Sequence, residues 1–328
     1  MVKVRFVGAC ALGAIVLGSF GLGDRSAAQD VDPAELVKSI HAIFGEHHAR
    51  AVHAKGVVLE ANFEPTDEAR QLSKAAAFAG KLQATVRLSN TTGIPDIPDS
   101  DPNASPHGLA IKFVMGDGSV MDVVTHSFNG FPAATAADFG QFLKAAAASG
   151  SGAAKPTPIE KYLQSHPEAV PFLTKQNPPP ESFATTTYFG VNAFGFVDAS
   201  GKKTTVRYRF VPEAGEKYLD AAEAASKGPN YLIDEIAERV AKAPVVFSWF
   251  AQIAQPDDKA DDPSTPWPED RQLVKLGTLT ITGMAADQEG LSKDLLFLPN
   301  NVPDGIEVVD PMIDVRGAAY PISFSERQ

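Results

Sequence analysis

Cysteine is nearly absent from this chain of 328 residues, and its single copy, Cys10, lies in a segment that we expect to be removed. Disulfides, a thiol nucleophile and thiolate-bound metals are therefore excluded from the mature chain. The sequence also lacks a P-loop, an HExxH pair and a Gly-x-Ser-x-Gly elbow. These are local signatures of nucleotide binding, zinc-dependent hydrolysis and serine-dependent hydrolysis, so none of these activities is indicated.

Positive charge is also scarce, because the chain has 29 Lys and Arg residues and 40 Asp and Glu residues, which gives a formal net charge of −11. Without a basic run, such a chain has no electrostatic footprint for nucleic acid, and we expect no nucleic-acid partner. Hydrophobic residues make up 44% of the chain, and the 26 Gly and 25 Pro indicate many turns. The composition excludes an acidic disordered tail, a collagen and a coiled coil, and it suits a folded core.

Residues 1–28 have the three parts of a secretory signal. Lys3 and Arg5 precede the apolar stretch 6–23, and Ser26, Ala27 and Ala28 supply small residues at a cleavage point. Cleavage would remove three basic residues and one acidic residue and leave a formal charge of −13. We therefore expect a periplasmic or secreted protein without stable membrane insertion after cleavage. An uncleaved anchor is the alternative, which the weakly hydrophobic Gly- and Ala-rich stretch disfavours.

Hydrophobic periodicity predicts an α+β fold built on an antiparallel sheet or barrel. Apolar alternation predicts strands over residues 57–63, 84–88, 109–114, 120–124, 188–197, 204–211 and 273–282. Helical spacing predicts helices over residues 32–48, 136–148 and 232–243. Pro299, Pro303 and Pro311 make the last 30 residues read as irregular. No linker divides the chain, so we expect one domain over residues 29–328.

Histidines offer one candidate metal cluster, formed by His47, His48 and His53. A solvated helix end is the simpler interpretation of these residues. Three other patterns carry acid–base or cationic side chains in a fixed order: RAVHAKG at 50–56, TVRLSN at 85–90, and an Asp310…Arg316…Tyr320 series that ends at Arg327. Each pattern alone is weak, and their order and spacing together are more specific.

Six segments in one order resemble the haem catalase family, in its short, catalase-related peroxidase branch. They are RAVHAKG, TVRLSN, HGLAIKF, DGSVMDVV, WPEDRQLVKLGTLTI, and FLPNNVPDGIE followed by the Asp…Arg…Tyr series. The resemblance extends from Arg50 to Arg327. It implies a catalase-like antiparallel β-barrel with surrounding helices and a haem b, with ferric iron, buried beside the barrel.

The resemblance also implies roles for individual residues. Tyr320 would be the iron ligand, consistent with the tyrosinate ligation of catalase haem. Arg316, one helical turn earlier, would stabilise the phenolate. On the distal side His53 would move a proton between the two peroxide oxygens, and Ser89 would orient its ring.

Further residues match the family's haem contacts. Arg50, Arg87 and Arg327 match the arginines that bind the haem propionates, for which guanidinium groups are suited. Phe131 and Phe139 match rings that pack on the distal side, and a plain core role is compatible with the same positions.

The chain departs from the family pattern at three positions. His126 stands where the family usually has an Asn that helps to hold the second peroxide oxygen, and we count it as a catalytic candidate. Asn192 replaces a relay histidine between Asp310 and Arg316. His107 stands where the family often has Arg before Gly.

We expect from the resemblance a peroxidase that reduces hydrogen peroxide or organic hydroperoxides with a small organic reductant and retains residual catalase activity. This expectation includes an open haem edge, because the helices that follow the ligand Tyr in larger relatives are not part of the chain, which ends at Gln328. The alternatives are a fatty-acid hydroperoxide-rearranging enzyme and a non-catalytic extracytoplasmic haem-binding protein. The sequence leaves open whether the chain forms a homo-oligomer.

Overall fold

An eight-stranded antiparallel barrel is the centre of the computed structural model, which describes residues 31–328. The strands follow one another around the barrel in chain order, and the sheet closes where β8 pairs with β1 and β4 pairs with β5. They are β1 Gly56–Pro65, β2 Leu82–Ser89, β3 Gly108–Val114, β4 Val120–His126, β5 Tyr188–Val197, β6 Lys203–Pro212, β7 Val245–Ile253 and β8 Leu273–Met284. A short strand, β9 Ile306–Val308, pairs with β5 beside the barrel.

The barrel interior is filled by aromatic rings, because alternate residues of each strand point inward. Trp249 is fully buried and lies 5.2 Å from the ring centroids of both Tyr208 and Phe210. The rings of Phe63 and Phe113 approach it at 5.3 and 6.0 Å. This interior is therefore a packed core, and any bound group must lie between the barrel and the helices around it.

Helices surround the barrel, and the longest of them carries Tyr320. They are α1 Pro33–Phe44, α2 Asp67–Leu72, α3 Ala136–Ala147, α4 Pro158–Ser165, α5 Val170–Thr174, α6 Ala221–Ser226, α7 Tyr231–Lys242, α8 Gln288–Asp294 and α9 Met312–Ser325. Asp32 caps α1 by accepting a hydrogen bond from the N–H of Ala34 at 2.9 Å. α1 packs against both α3 and α9. Within residues 31–328, no helix combines the length and hydrophobicity needed to cross a membrane.

The predicted α+β class and the antiparallel barrel are confirmed. Both predicted hairpins, β3–β4 and β5–β6, are present. The predicted signal segment, residues 1–28, lies outside the described residues, and the single domain over 29–328 stays a prediction.

The sequence prediction missed helices α2, α4, α5, α6 and α8 and strand β9, and α1 ends at Phe44 instead of residue 48. Two further differences have a clear physical reason. The prediction of an irregular final segment was wrong, because α9 covers residues 312–325. Pro311 lies just before the first turn of α9, where a missing N–H costs nothing. Burial of Ile313 and Ala319 favours this helix although Pro321 lies inside it. Strand β7 was not predicted. Its nine residues follow a helix closely and are mostly buried, so they show no clear alternation of apolar and polar residues.

Candidate active site

Four residues at paired positions of adjacent strands form a row across the barrel wall. Gly56 of β1 pairs with Ser89 of β2, Ser89 pairs with Gly108 of β3, and Gly108 pairs with His126 of β4. His126 then pairs with Phe189 of β5, the only paired position that joins these two strands among the described residues. The small side chains in the middle of the row leave room for a ring to lie over the sheet.

The imidazole of His53 lies in this space. His53 precedes β1 in the left-handed region, with φ +58°, and its N–H donates to the carbonyl of Thr91 at 3.0 Å. Its Nδ1 is 3.0 Å from Oγ of Ser89. A Cβ atom on Gly108 would lie 2.8 Å from the imidazole, so glycine is required there. A strained backbone at a non-glycine residue is held by its surroundings and is typical of functional sites.

His53 is neutral at physiological pH. Burial of the ring lowers its pKa to about 3, and the positive charge of Arg87 and the neighbouring His126 act in the same direction. In the tautomer that donates from Nδ1 to Ser89, Nε2 is left with a lone pair. No described residue forms a hydrogen bond with this Nε2. The ring can therefore accept a proton from a small molecule.

His126 presents the opposite hydrogen-bonding function. Its Nδ1 accepts the N–H of Phe128 at 3.4 Å, so the hydrogen of the neutral ring is on Nε2. This Nε2 is buried and has no partner among residues 31–328. Burial and the charge of Arg316 lower the pKa of His126 to about 3. His126 therefore offers a donor, whereas His53 offers an acceptor.

On α9, Arg316 and Tyr320 form the other half of the site. Nε and Nη2 of Arg316 donate to the phenol oxygen of Tyr320 at 3.1 and 2.6 Å, and Nη1 donates to Oδ1 of Asn192. Nδ2 of Asn192 donates to Oδ2 of Asp310 at 2.8 Å, and Oδ1 of Asp310 accepts the N–H of Met312 at 2.9 Å. Burial raises the pKa of Asp310, although these hydrogen bonds favour its charged form. Arg316 is therefore fixed by Tyr320 and by Asn192, which Asp310 holds in turn.

Three further guanidinium groups lie close to one another. Arg50 and Arg327 donate to backbone carbonyls of residues 292–295, and Arg87 donates to the carbonyl of Ala54 at 3.1 Å. Nε of Arg87 is buried without a partner, and no acidic side chain within residues 31–328 forms a salt bridge with any of the three. Burial, together with the charges of Arg87 and Arg327, lowers the pKa of Arg50 to about 8.

These residues fit a haem. The unpaired cations suit the two carboxylates of the porphyrin, since a buried cation without an anionic partner is costly. The oxygen of Tyr320 is a suitable iron ligand, and Arg316 would stabilise its charged form. The charge of Arg316 acts on both His53 and His126, which places α9 and the two histidines within electrostatic range of one another.

Phenyl rings lie beside His126. The ring centroids of Phe131 and Phe139 are 4.8 Å apart. Sequence reasoning missed Phe172 of α5, whose ring meets His126 edge to face at 6.4 Å and Phe128 at 5.6 Å. No local pattern marks Phe172, because it stands in a short proline-containing helix far along the chain from His126.

A buried polar network behind the row was also missed. Lys55 forms a salt bridge with Asp99 at 2.7 Å, and Nδ2 of Asn90 donates to the same carboxylate at 2.8 Å. Nδ1 of His107 is 3.0 Å from Oδ1 of Asn90, and burial lowers the pKa of His107 to about 4. The network holds Asn90 in place and thereby stabilises the position of Ser89, its neighbour, which belongs to the row.

The alternative metal cluster is not formed. His47 is exposed and its Nε2 donates to the carbonyl of Phe44 at 2.7 Å. In the described part of the chain, no group of three His, Asp or Glu side chains is placed to hold a metal ion.

Comparison with known proteins shows the family of the chain. A family model described as catalase matches residues 37–327. The chain belongs to the catalase family. Catalase-related peroxidases of Mycolicibacterium paratuberculosis and Synechococcus elongatus are 36% and 32% identical to it, over 90% and 92% of this chain and 94% and 90% of theirs.

Longer family members match in part. The catalase of Mus musculus is 26% identical over 85% of this chain and 56% of its own length. The solved structures of a fungal and a bacterial catalase each superpose with a TM-score of 0.74 at 20% and 21% identity, covering 85% of this chain and 59% and 57% of theirs. These two structures support the catalase fold. The roles assigned above to individual residues stay predictions.

Replacing Gly108 with Ala is predicted to displace the imidazole of His53. The added Cβ would lie 2.7 Å from Oγ of Ser89 and 2.8 Å from the ring of His53. We expect kcat/KM for hydrogen peroxide to fall by at least about tenfold, because a small misplacement of a proton-transfer group is costly. The matched control is Gly283→Ala, a strand glycine with open space around it. Equal activity in the two variants would contradict the prediction.

Replacing Asn192 with Leu is predicted to destabilise the protein. The change removes the partner of both Arg316 and the buried carboxylate of Asp310. We expect the free energy of unfolding in urea to fall by about 3 kcal/mol, the cost of leaving buried polar groups unpaired. Asn192→His is the control, because an imidazole also offers one acceptor and one donor. A His variant no more stable than the Leu variant would argue that the lost hydrogen bonds of Asn192 are not the cause of the destabilisation.

Proposed function

We propose that this protein is a haem-dependent peroxidase that reduces hydrogen peroxide or an organic hydroperoxide with a small organic electron donor. As a member of the catalase family it is a peroxide oxidoreductase, and the proposal adds haem b, ferric iron and the donor. One observation carries the proposal: the neutral His53, whose Nε2 forms no hydrogen bond with residues 31–328, lies within electrostatic range of the Arg316–Tyr320 pair.

Protein groups would hold the cofactor at two places. The oxygen of Tyr320 would ligate the iron, and Arg50, Arg87 and Arg327 would bind the carboxylates. Bound haem would supply the redox centre through which electrons of the donor reach the peroxide. Arg316, held by Asn192, would donate two hydrogen bonds to the phenol oxygen of Tyr320.

His53 would carry the proton during cleavage of the O–O bond. Nε2 accepts a proton from one peroxide oxygen and returns it to the other oxygen, while Ser89 holds Nδ1 in place. The complete reaction takes two electrons and two protons from the donor. It breaks one O–O bond and yields two water molecules, or one water and one alcohol when the substrate is an organic hydroperoxide.

An organic donor is proposed because of the relatives that match along nearly their whole length. Two proteins named catalase-related peroxidase are covered to 94% and 90%, whereas the catalase of Mus musculus is covered to 56%. Residual catalase activity is part of the proposal. We also propose a periplasmic or secreted location, supported by the signal pattern of residues 1–28.

Two variants should separate cofactor binding from catalysis. Tyr320→Phe is expected to change or abolish the Soret absorption band of the haem-loaded protein, because the anionic ligand is lost. His53→Ala is expected to keep the band and lose at least about a hundredfold in donor oxidation, the usual contribution of a general acid–base group.

The matched controls are Tyr218→Phe and His47→Ala, which lie in other parts of the structure. Protein that binds no haem, or a His53→Ala variant with full turnover, would overturn the proposal. Product analysis with a fatty-acid hydroperoxide gives a third outcome. Rearranged products without donor consumption would indicate a hydroperoxide-rearranging enzyme instead of a peroxidase.

The pH profile should be flat where an ordinary histidine titrates. The pKa of His53 is lowered to about 3, so its neutral, proton-accepting form persists as the pH falls and is lost only near that value. We therefore expect kcat/KM for hydrogen peroxide to be constant from about pH 5 to about pH 7. An inflection at about pH 6.5 that is absent from a His53→Gln variant would contradict this prediction, because it would show that the imidazole titrates as in water.

A further inference from the structure

We propose that Lys55 and Asp99 are positioning residues for His53, and that their buried ion pair sets the place from which the imidazole transfers a proton. The two residues act on the backbone and the ring of His53 and not on the substrate. The inference rests on the proposed function, because it concerns the residue that moves the proton there. It gives a role to the lysine of the RAVHAKG pattern, which follows His53 by two residues.

The backbone of His53 depends on an irregular segment. Its N–H donates to the carbonyl of Thr91 at 3.0 Å, and the N–H of Ala54 donates to the carbonyl of Thr92 at 2.9 Å. Both carbonyls belong to segment 90–107, which joins β2 to β3. Such segments are in general more mobile than the elements that they connect. The left-handed conformation of His53 therefore persists only if this segment is itself held in place.

The ion pair holds this segment near its middle. Nζ of Lys55 lies 2.7 Å from Oδ1 of Asp99. It also donates to the carbonyls of Ile97 and Pro229 at 2.7 and 2.6 Å, so three oxygen atoms surround the ammonium group. The side chain of Lys55 is 6% exposed and that of Asp99 is 0% exposed. A lysine is buried to this degree almost only when it is paired, so the pair fixes the chain two residues after His53.

Helix α7 ties the ion pair to the barrel. Oδ2 of Asp99 accepts the N–H of Leu232 at 2.8 Å, in the first turn of α7. Asn230, the residue before this helix, provides no side-chain cap, so Asp99 pairs an N–H that the helix leaves free. A negative charge is also favoured at this end of a helix. Leu232 and Ile236 are fully buried, and α7 packs against β8.

An amide connects the ion pair to the ring of His53. Nδ2 of Asn90 donates to Oδ1 of Asp99 at 2.8 Å, and the N–H of Asn90 donates to the carbonyl of Lys55 at 3.0 Å. Asn90 follows Ser89, whose Oγ is 3.0 Å from Nδ1 of His53. Loss of the pair would therefore loosen the imidazole and its hydrogen-bond partner together. The ring hydrogen could then move to Nε2, which would no longer accept a proton.

The test removes both charges of the pair together. Loss of one member of a buried ion pair leaves the other charge unpaired and destabilises the fold, whereas replacement of both is often neutral. In Lys55→Met/Asp99→Asn no charge remains, and the amide at position 99 can still accept the N–H of Leu232. The matched control is Lys112→Met/Asp122→Asn, which removes another ion pair with a buried carboxylate that also accepts a backbone N–H.

Nitrogen NMR of the haem-free full chain, labelled at histidine, reads the tautomer of His53. The signal is assigned with His53→Gln. We expect the wild type and the control to carry the ring hydrogen on Nδ1, and Lys55→Met/Asp99→Asn to show a mixture of both tautomers. A wild-type ring with its hydrogen on Nε2, or an unchanged tautomer in this double variant, overturns the proposal. If the double variant does not fold, Lys55→Gln should show the mixture, and an unchanged tautomer there overturns the proposal equally.

Kinetics of the haem-loaded protein separates positioning from a general loss of structure. With guaiacol as the donor, kcat/KM for hydrogen peroxide should fall at least about tenfold in Lys55→Met/Asp99→Asn, because the imidazole is misplaced. The value of kcat/KM for guaiacol should change by less than about twofold, since each constant reports its own half of the reaction. Equal losses in both constants overturn the positioning role. The expected tautomers without any peroxidase turnover of the wild type support the hold on the imidazole and overturn only the proposed function.

Discussion

Uncompensated positive charge is the constraint on which the site depends. Arg50, Arg87 and Arg327 lie near one another, and in the part of the chain that the structure describes they donate to backbone carbonyls and form no salt bridge. Asp294 offsets the charge of Arg327 in part. Their pKa values are lowered to about 8, 9 and 10, mainly by burial, which shows that the protein alone keeps these charges at a cost. A ligand with two carboxylates removes that cost and so adds its binding free energy to folding. Cofactor and fold should therefore stabilise each other.

The barrel places the catalytic candidates by strand register. The row Gly56, Ser89, Gly108 and His126 takes one residue from each of four strands, and each partner is set by the pairing. A shift of one residue in any strand would turn its side chain to the other face of the sheet. His53 lies outside the strands but is tied to the row through Ser89. The strands of the barrel thus support the imidazole, whereas α9 carries Arg316 and Tyr320, and α8 supplies carbonyls that hold Arg50 and Arg327.

Sequence reasoning was strongest where the signal is local. Alternation in residues 109–114 and 120–124 predicted the β3–β4 hairpin, because each strand has one face in the core. It was weakest for α9, where three prolines outweighed packing contacts that only the folded chain makes. Phe172 had no signal at all, since its neighbour His126 is on another element and neither residue has a distinctive local pattern. Long-range contacts of this kind follow from topology and cannot be obtained from periodicity.

The two histidines are not equivalent, although both are neutral and the pKa of each is lowered to about 3. The backbone N–H of Phe128 occupies Nδ1 of His126, so His126 can only donate from Nε2 unless the ring becomes charged. A charge there would face Arg316 and the proton taken up by His53, and both repel it. In the proposed mechanism, proton uptake by His53 would keep His126 neutral and donating during the step in which a peroxide oxygen needs a hydrogen bond. A histidine at this position adds a fixed donor to the site rather than a second base.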